Sequence, residues 1–157
     1  MEIVTRSAAE TEALGLRLGG LLSGSELLAL VGPLGAGKTV FVRGLARALG
    51  CPEEAVASPT YVLERVYPGG RLTLRHLDAY RLSGAAEFEA SDLGAGLSAP
   101  GSVAAIEWAD RVRDALPAER LEISFENLGG DARRLCLAGR GEHHRRLLDN
   151  LASASGA

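Results

Sequence analysis

The only lysine in this chain, Lys38, lies in the run Gly32-Pro33-Leu34-Gly35-Ala36-Gly37-Lys38-Thr39. The run fits G-x-x-x-x-G-K-[ST], the phosphate-binding P-loop. No other feature constrains the fold as much, because such a loop needs a strand before it and a helix after it. Both are legible. Leu27 to Val31 is a continuous apolar run of strand length, as in a strand buried on both faces. Phe41, Leu45, Ala48 and Leu49 then recur at helical spacing until Gly50 and Pro52 stop the helix. Every other cation among the 17 Lys+Arg is arginine. Arginine carries a rigid planar fork of donors, whereas lysine is a compact charge on a flexible stem. The retained lysine therefore marks a position where arginine will not serve.

The chemistry follows from the loop. A triphosphate is a concentrated negative charge. It is met by inward-pointing backbone N–H groups and by the positive end of the following helix. Gly32, Gly35 and Gly37 let the backbone come close to it, and Ala36 and Val40 count with them as nucleotide-binding positions. Lys38 is placed to reach the β- and γ-phosphates, and the Thr39 hydroxyl to ligate magnesium. The loop binds phosphate; it does not by itself separate hydrolysis from group transfer.

The rest of the chain reads as one domain over residues 1–151, with 152–157 as a disordered tail. Ser7-Ala8-Ala9-Glu10 is a capping box. It opens a helix through Leu14, Leu18, Leu21 and Leu22 that Ser23-Gly24 ends. Val62 to Tyr67 and Arg71 to Leu77 read as strands, with Pro68-Gly69-Gly70 as the hairpin turn between them. Ser83 to Leu97 reads as short helix plus loop, Val103 to Ile106 as a buried strand, and Trp108 to Leu116 as a helix closed by Pro117. Leu121, Ile123 and Phe125 alternate with Glu122, Ser124 and Glu126, the mark of a half-buried strand. A turn at Leu128 to Asp131 returns the chain through Leu135 to Leu137. Glu142 to Leu151 closes as a helix. The predicted fold is α/β: a single-domain P-loop NTPase with a mixed sheet, a parallel core, antiparallel hairpins and helices on both faces.

Magnesium needs further oxygen ligands. Asp78 ends the strand Arg71 to Leu77, where P-loop proteins place their second acidic residue; a turn-capping aspartate is the competing reading. Glu107 follows the strand Val103 to Ile106, at the rim where ligands of α/β sheets bind. It could hold magnesium through water or orient an attacking water; position alone leaves it level with a solvated glutamate. Ser58-Pro59-Thr60 lies where GTPase-type switches carry a γ-phosphate-sensing threonine, although S-P-T is also a common turn. Trp108, the one tryptophan, adjoins Glu107. His76 shares a strand face with Asp78 and could orient it, the core histidine being the more ordinary reading. The basic run Arg140 to Arg146 reads first as a solvated helix face.

Composition excludes several classes. A net charge of -3 argues against broad, unaided nucleic-acid binding, which wants a basic surface. Cys51 and Cys136 stand far apart with no Cys/His cluster, so neither zinc nor a disulfide framework is expected, and a reducing, cytoplasmic compartment is. No basic start followed by an apolar run marks a signal peptide, and no stretch approaches the ~20 apolar residues of a membrane span.

Taken in order, Leu34-Gly35-Ala36-Gly37-Lys38-Thr39, Ser58-Pro59-Thr60-Tyr61, His76-Leu77-Asp78-Ala79-Tyr80-Arg81-Leu82 and Glu107-Trp108 resemble the TsaE family (also called YjeE) over about residues 3 to 150. The first block is common to many ATPases; the combination of H-x-D-x-Y-R-L with S-P-T and a later E-W is far more specific. The resemblance implies a bacterial P-loop ATPase acting in formation of threonylcarbamoyladenosine in tRNA. It implies ATP and Mg2+ as ligands of Lys38 and Thr39. It also implies that Thr60, Asp78, Glu107 and Trp108 are essential to the site, Glu107 as a magnesium-site residue. The adenine pocket would fall near Ser7 and near Ala132-Arg133. The implied partners are a TsaD–TsaB pair, which transfers threonylcarbamoyl to adenosine and is reset by ATP binding and hydrolysis; tRNA would be met through them. Two departures stand out. Pro33 replaces the usual acidic residue and removes one N–H, and Glu87 to Leu97 is richer in glycine and alanine than the family's acidic-aromatic stretch.

Two other readings compete. A small-metabolite kinase shares the length and the P-loop, and Arg43, Arg47, Arg65 and Arg81 are available for an acceptor site. A nucleotide-gated scaffold would bind ATP as an assembly signal and need no hydrolysis.

Overall fold

Strands buried on both faces need layers on both sides, and the structure supplies them unequally. A computed structural model of the chain describes residues 1–52, 56–57, 59, 63–68 and 70–155. Seven strands form one sheet: β1 (Glu2–Thr5), β2 (Leu27–Val31), β3 (Glu64–Tyr67), β4 (Thr73–Asp78), β5 (Ser102–Glu107), β6 (Arg120–Gly129) and β7 (Ala132–Arg140). Their order is β1-β7-β6-β2-β5-β4-β3. β6, β2, β5 and β4 run parallel to one another, and antiparallel pairing adds β7 and then β1 beside β6, and β3 beside β4. β5 is buried along its whole length, whereas β6 alternates, with Leu121, Ile123 and Phe125 turned to the core.

On one face lie α1 (Ala8–Leu21), α2 (Lys38–Leu49) and α4 (Glu142–Ser155), enclosing the larger core between Leu14, Leu18, Phe41, Leu45, Leu147 and the even-numbered side chains of β2. Among the described residues the other face carries α3 (Ala85–Ala90) and the 3-10 turns Ala109–Ala115, over a smaller core around Ala29, Ile106, Phe88 and Val112. Among the described residues no helix is long and apolar enough to cross a membrane. Both cysteines are free, Cys51 buried and Cys136 exposed.

α1 and α2 meet backbone to backbone. A Cβ added at Gly44 would lie 2.0 Å from the Glu12 carbonyl oxygen, and one at Gly15 2.2 Å from that of Phe41. Gly19 faces Ala48 in the same seam. The close approach seats α2 directly behind the loop that precedes it. Arg71 secures the far end: its guanidinium donates to the carbonyls of Gly19, Leu22 and Ala48, where the negative ends of α1 and α2 converge.

Three elements differ from expectation. β1 is an additional edge strand, too short and too mixed in character to be seen without its partner β7. The segment after Glu107 forms 3-10 turns rather than the expected helix from Trp108 to Leu116. Trp108 is left-handed (φ 58, ψ 37) and gives no side-chain cap, and Val112 is non-helical, so the segment packs Ala109, Val112 and Leu116 by tighter turns. The last helix continues to Ser155, so residues 152–155 are helical where a disordered tail was expected. Fully buried Leu151 anchors the turn, alanines favour its continuation, and the Ser153 hydroxyl donates to the Asp149 carbonyl at 2.9 Å. Residues 156–157 lie outside the described residues.

Glu26, fully buried, ties the α1–β2 loop to α4. It accepts from the Ser23 and Gly24 N–H groups and the Ser23 hydroxyl, each at 2.8 Å, and meets His143 Nε2 at 3.0 Å. Burial pushes its pKa up, but these donors outweigh burial and hold it below the ordinary carboxylate value.

Two predictions follow from packing and charge. Gly44→Val forces Cβ into a backbone carbonyl that has no rotamer to yield, so thermal unfolding should show a loss of about 1–3 kcal/mol or more. Glu26→Gln turns N–H toward donors and should cost about 1–3 kcal/mol at neutral pH. Because the folded pKa is depressed, the wild-type advantage is complete above the unfolded glutamate pKa and lost as pH falls through the folded value. Equal denaturant stability of the two proteins at neutral pH would refute this.

Candidate phosphate-binding site

The carboxyl ends of β2, β5 and β4 lie side by side, and each delivers part of the site. β2 runs into Gly32, where a Cβ would lie 2.7 Å from the Phe125 carbonyl oxygen. Gly35 (φ 73) and Gly37 (φ 99) then take left-handed backbone that fits glycine. Gly37 caps α2 without any side-chain hydrogen bond, so the first N–H groups of that helix face the loop's interior.

Lys38 is only 4% exposed. Its ammonium donates to the carbonyls of Gly32 at 2.5 Å and Pro33 at 2.9 Å, and lies 4.2 Å from the Trp108 ring centroid. Burial pulls its pKa down; Glu107, Asp78 and Asp110 oppose that by their charge.

Asp78 and Glu107 are register partners on adjacent parallel strands, 2% and 3% exposed. Glu107 Oε1 accepts from the Thr39 hydroxyl at 2.8 Å and lies 2.8 Å from His76 Nε2. Glu107 is thus no solvated side chain. His76 is buried and shares a face with Asp78, as read from the sequence, but the carboxylate it meets is that of Glu107, because its register partner is Ala105 and Glu107 is the next residue on the same face. Asp78 Oδ1 accepts the Tyr80 N–H at 2.8 Å, so it does cap a turn, yet it remains at the rim of the site.

Lys38, Thr39 and Glu107 border a cavity of about 300 Å³ lined by residues 34–40 with Tyr80, Glu107 and Trp108; Asp78 and His76 are not among its lining residues. A smaller cavity of about 70 Å³ adjoins it through Gly35, Gly37 and Val40, and is closed by Ala8, Thr11, Asp131 and Arg133. Arg133 reaches it and donates to the Gly35 carbonyl at 3.2 Å. Ser7 does not line it; its hydroxyl accepts the Glu10 N–H and caps α1, and the cavity takes the next residue, Ala8. Thr60 and Ser58 lie outside the described residues. A cavity of about 500 Å³ on the opposite sheet face, bordered by Arg113, Glu122 and Cys136, contains none of the loop's residues.

Sequence reasoning did not assign a site role to Tyr80, which lines the loop's cavity and packs at a tilt of 52° against Trp108, with centroids 5.0 Å apart. Its place inside the H-x-D-x-Y motif was the available signal. Asp131 and Thr11 carried no signal of their own; only the return of β7 toward α1 brings them together. Leu34 is 86% exposed at the loop's tip, beside half-exposed Tyr80.

The donor set suits a divalent cation shared with a bound phosphate better than a cation caged by protein alone. Among the described residues no group of three His, Cys, Asp or Glu side chains could hold a metal, while the Thr39 hydroxyl and the Glu107 carboxylate line the loop's cavity and Asp78 lies beside Glu107 in register. As the sole tryptophan, Trp108 reports directly on Lys38: Lys38→Met should alter its fluorescence without any ligand. Identical emission from the two proteins would mean that the ammonium does not rest on the indole in solution.

Comparison with known proteins places this geometry. The family model described as "Threonylcarbamoyl adenosine biosynthesis protein TsaE" matches residues 5–135. The protein named tRNA threonylcarbamoyladenosine biosynthesis protein TsaE from Treponema pallidum is 43% identical over 139 residues, covering 88% of this chain and 100% of that one. Its namesake from Streptomyces coelicolor is 42% identical over 82% of this chain and 90% of its own, and that from Bacillus subtilis 35% identical over 91% and 88%. The crystal structure of Bacillus subtilis YdiB superposes with a TM-score of 0.80 at 28% identity, covering 99% of this chain and 95% of that chain.

Proposed function

The chain belongs to the TsaE family, and on that premise we propose that it binds and hydrolyses ATP with magnesium in the cytoplasm. In this reading it is an accessory protein for threonylcarbamoyladenosine formation in tRNA, acting on a TsaD–TsaB type complex. The observation that carries the reading is a convergence in one cavity. A glycine loop, a buried lysine and a hydroxyl bonded to a buried carboxylate all meet there.

Each residue has work that follows from its chemistry. The N–H groups of the loop and of the first turn of α2 bind phosphate oxygens. Lys38 leaves the Gly32 and Pro33 carbonyls for the β- and γ-phosphates, a move that its flexible stem permits. The Thr39 hydroxyl gives its one hydrogen to Glu107 and keeps its lone pairs for a metal ligand. Asp78 supplies the second carboxylate. Magnesium, when bound, neutralises phosphate charge beside these carboxylates and polarises the bond to be broken. The smaller cavity at Ala8, Asp131 and Arg133 is of a size to border the base end of the nucleotide.

Among the described residues lining the phosphate cavity there is no arginine. An arginine supplied in cis or in trans speeds P-loop hydrolysis by about 10³–10⁵. The isolated chain should therefore turn ATP over slowly, with a partner completing the site. With a net charge of -3, contact with tRNA is assigned to the partners.

The test is ATP hydrolysis by the purified chain with and without a TsaD–TsaB pair. Strong stimulation is expected; fast turnover by the chain alone, or no stimulation despite ATP binding, would return the kinase and scaffold readings. Lys38→Ala removes a charge-assisted contact worth roughly 1.5–3 kcal/mol, or about 10–100-fold in nucleotide affinity. Glu107→Ala should keep nucleotide binding and lose turnover; retained activity in tRNA modification would favour the scaffold.

A further inference from the structure

His76 is fully buried in β4, on the face that α2 covers. Its neighbour on that face is Leu74, and an aliphatic side chain there would avoid burying an imidazole. The imidazole's one hydrogen bond among the described residues is to Glu107: Nε2 lies 2.8 Å from Oε1, and Nδ1 has no partner. A carboxylate oxygen accepts, so in this contact Nε2–H is the donor.

The same oxygen, Glu107 Oε1, accepts the Thr39 hydroxyl at 2.8 Å. Two donors from two different elements, β4 and α2, therefore hold one oxygen of a carboxylate on a third, β5. The last torsion of glutamate is broad and roughly two-fold, so a carboxylate held by Thr39 alone could rotate and carry the hydroxyl's hydrogen with it. The direction of that hydrogen decides where the remaining Thr39 lone pairs point.

We infer that His76 is a positioning residue: its Nε2–H locks the Glu107 carboxylate, and through it aims the Thr39 lone pairs at the cation site. The inference rests on the magnesium–ATP reading above. His76 does not touch the nucleotide; its effect is confined to the part of binding that uses the cation.

The experiment is calorimetric ATP binding with magnesium and with EDTA, for wild type, His76→Leu and His76→Gln. The ratio of the two affinities should fall about tenfold or more in His76→Leu. It should recover in large part in His76→Gln, whose amide N–H can take the place of Nε2–H. An unchanged ratio in His76→Leu overturns the inference, as does an equal loss in both variants, which would mark a packing role. Histidine ¹⁵N NMR without nucleotide supplies a second readout. The Nε2–H tautomer should be present in wild type and perturbed in Glu107→Ala; its absence from wild type also overturns the inference. If wild type shows the tautomer but no magnesium-dependent gain, it is the ATPase reading that has failed, and the role assigned to His76 falls with it.

Discussion

A cation and two carboxylates are held almost out of water at the ends of three parallel strands, and the rest of the fold is arranged around that burial. Buried charge is tolerated only when it is paired or hydrogen-bonded. Lys38 meets this condition with two backbone carbonyls and an indole face, and Glu107 with a hydroxyl and an imidazole. Neither partner of Glu107 is close to it in sequence. They come together because β5 lies between β2 and β4, and because α2 starts directly over the end of β2. Changing the strand order would scatter the site without altering any local element.

The two faces of the sheet divide the labour. The α2 face is thick, with three helices, and its seam at Gly15, Gly19 and Gly44 leaves α1 and α2 too close to slide. That rigidity fixes the start of α2, hence Lys38 and Thr39. The other face is thin, with one short helix and 3-10 turns, and it contributes the irregular backbone after β5. Trp108 takes a left-handed conformation there, which is costly for a residue with a Cβ. The strain turns its ring back over Lys38 and against Tyr80. Regular structure holds the charges, and strained structure covers them.

How much of this the sequence disclosed depends on whether the cause was local. The strand, loop and helix around Lys38 were legible because hydrophobic periodicity and glycine spacing are local properties. The end-of-strand positions of Asp78 and Glu107 were legible for the same reason. The partner of His76 was not, since that requires the register between β4 and β5, which nothing in either strand specifies. β1 was missed because its pairing with β7 spans nearly the whole chain. The small residues Gly15, Gly19, Gly44 and Ala48 went unread, because only the crossing of the two helices gives their spacing meaning. The basic run Arg140 to Arg146 is largely a solvated face, as its sequence suggested: Arg140 and Arg146 are exposed and pair with Glu122 and Glu142 at the surface, while His143 hydrogen-bonds Glu26.

The lone lysine can now be explained by geometry as well as by motif. Its ammonium fits between two carbonyls at 2.5 and 2.9 Å with an aromatic face above. A guanidinium brings five N–H donors in a fixed plane; at a site with two acceptors and a ring, several would be buried without partners. The ammonium also rotates freely on its stem, so the carbonyls can be exchanged for phosphate oxygens one bond at a time. Its pKa, pulled down by burial, is supported by Glu107, Asp78 and Asp110. The carboxylates that the proposed cation requires are therefore also the groups whose charge supports the buried ammonium.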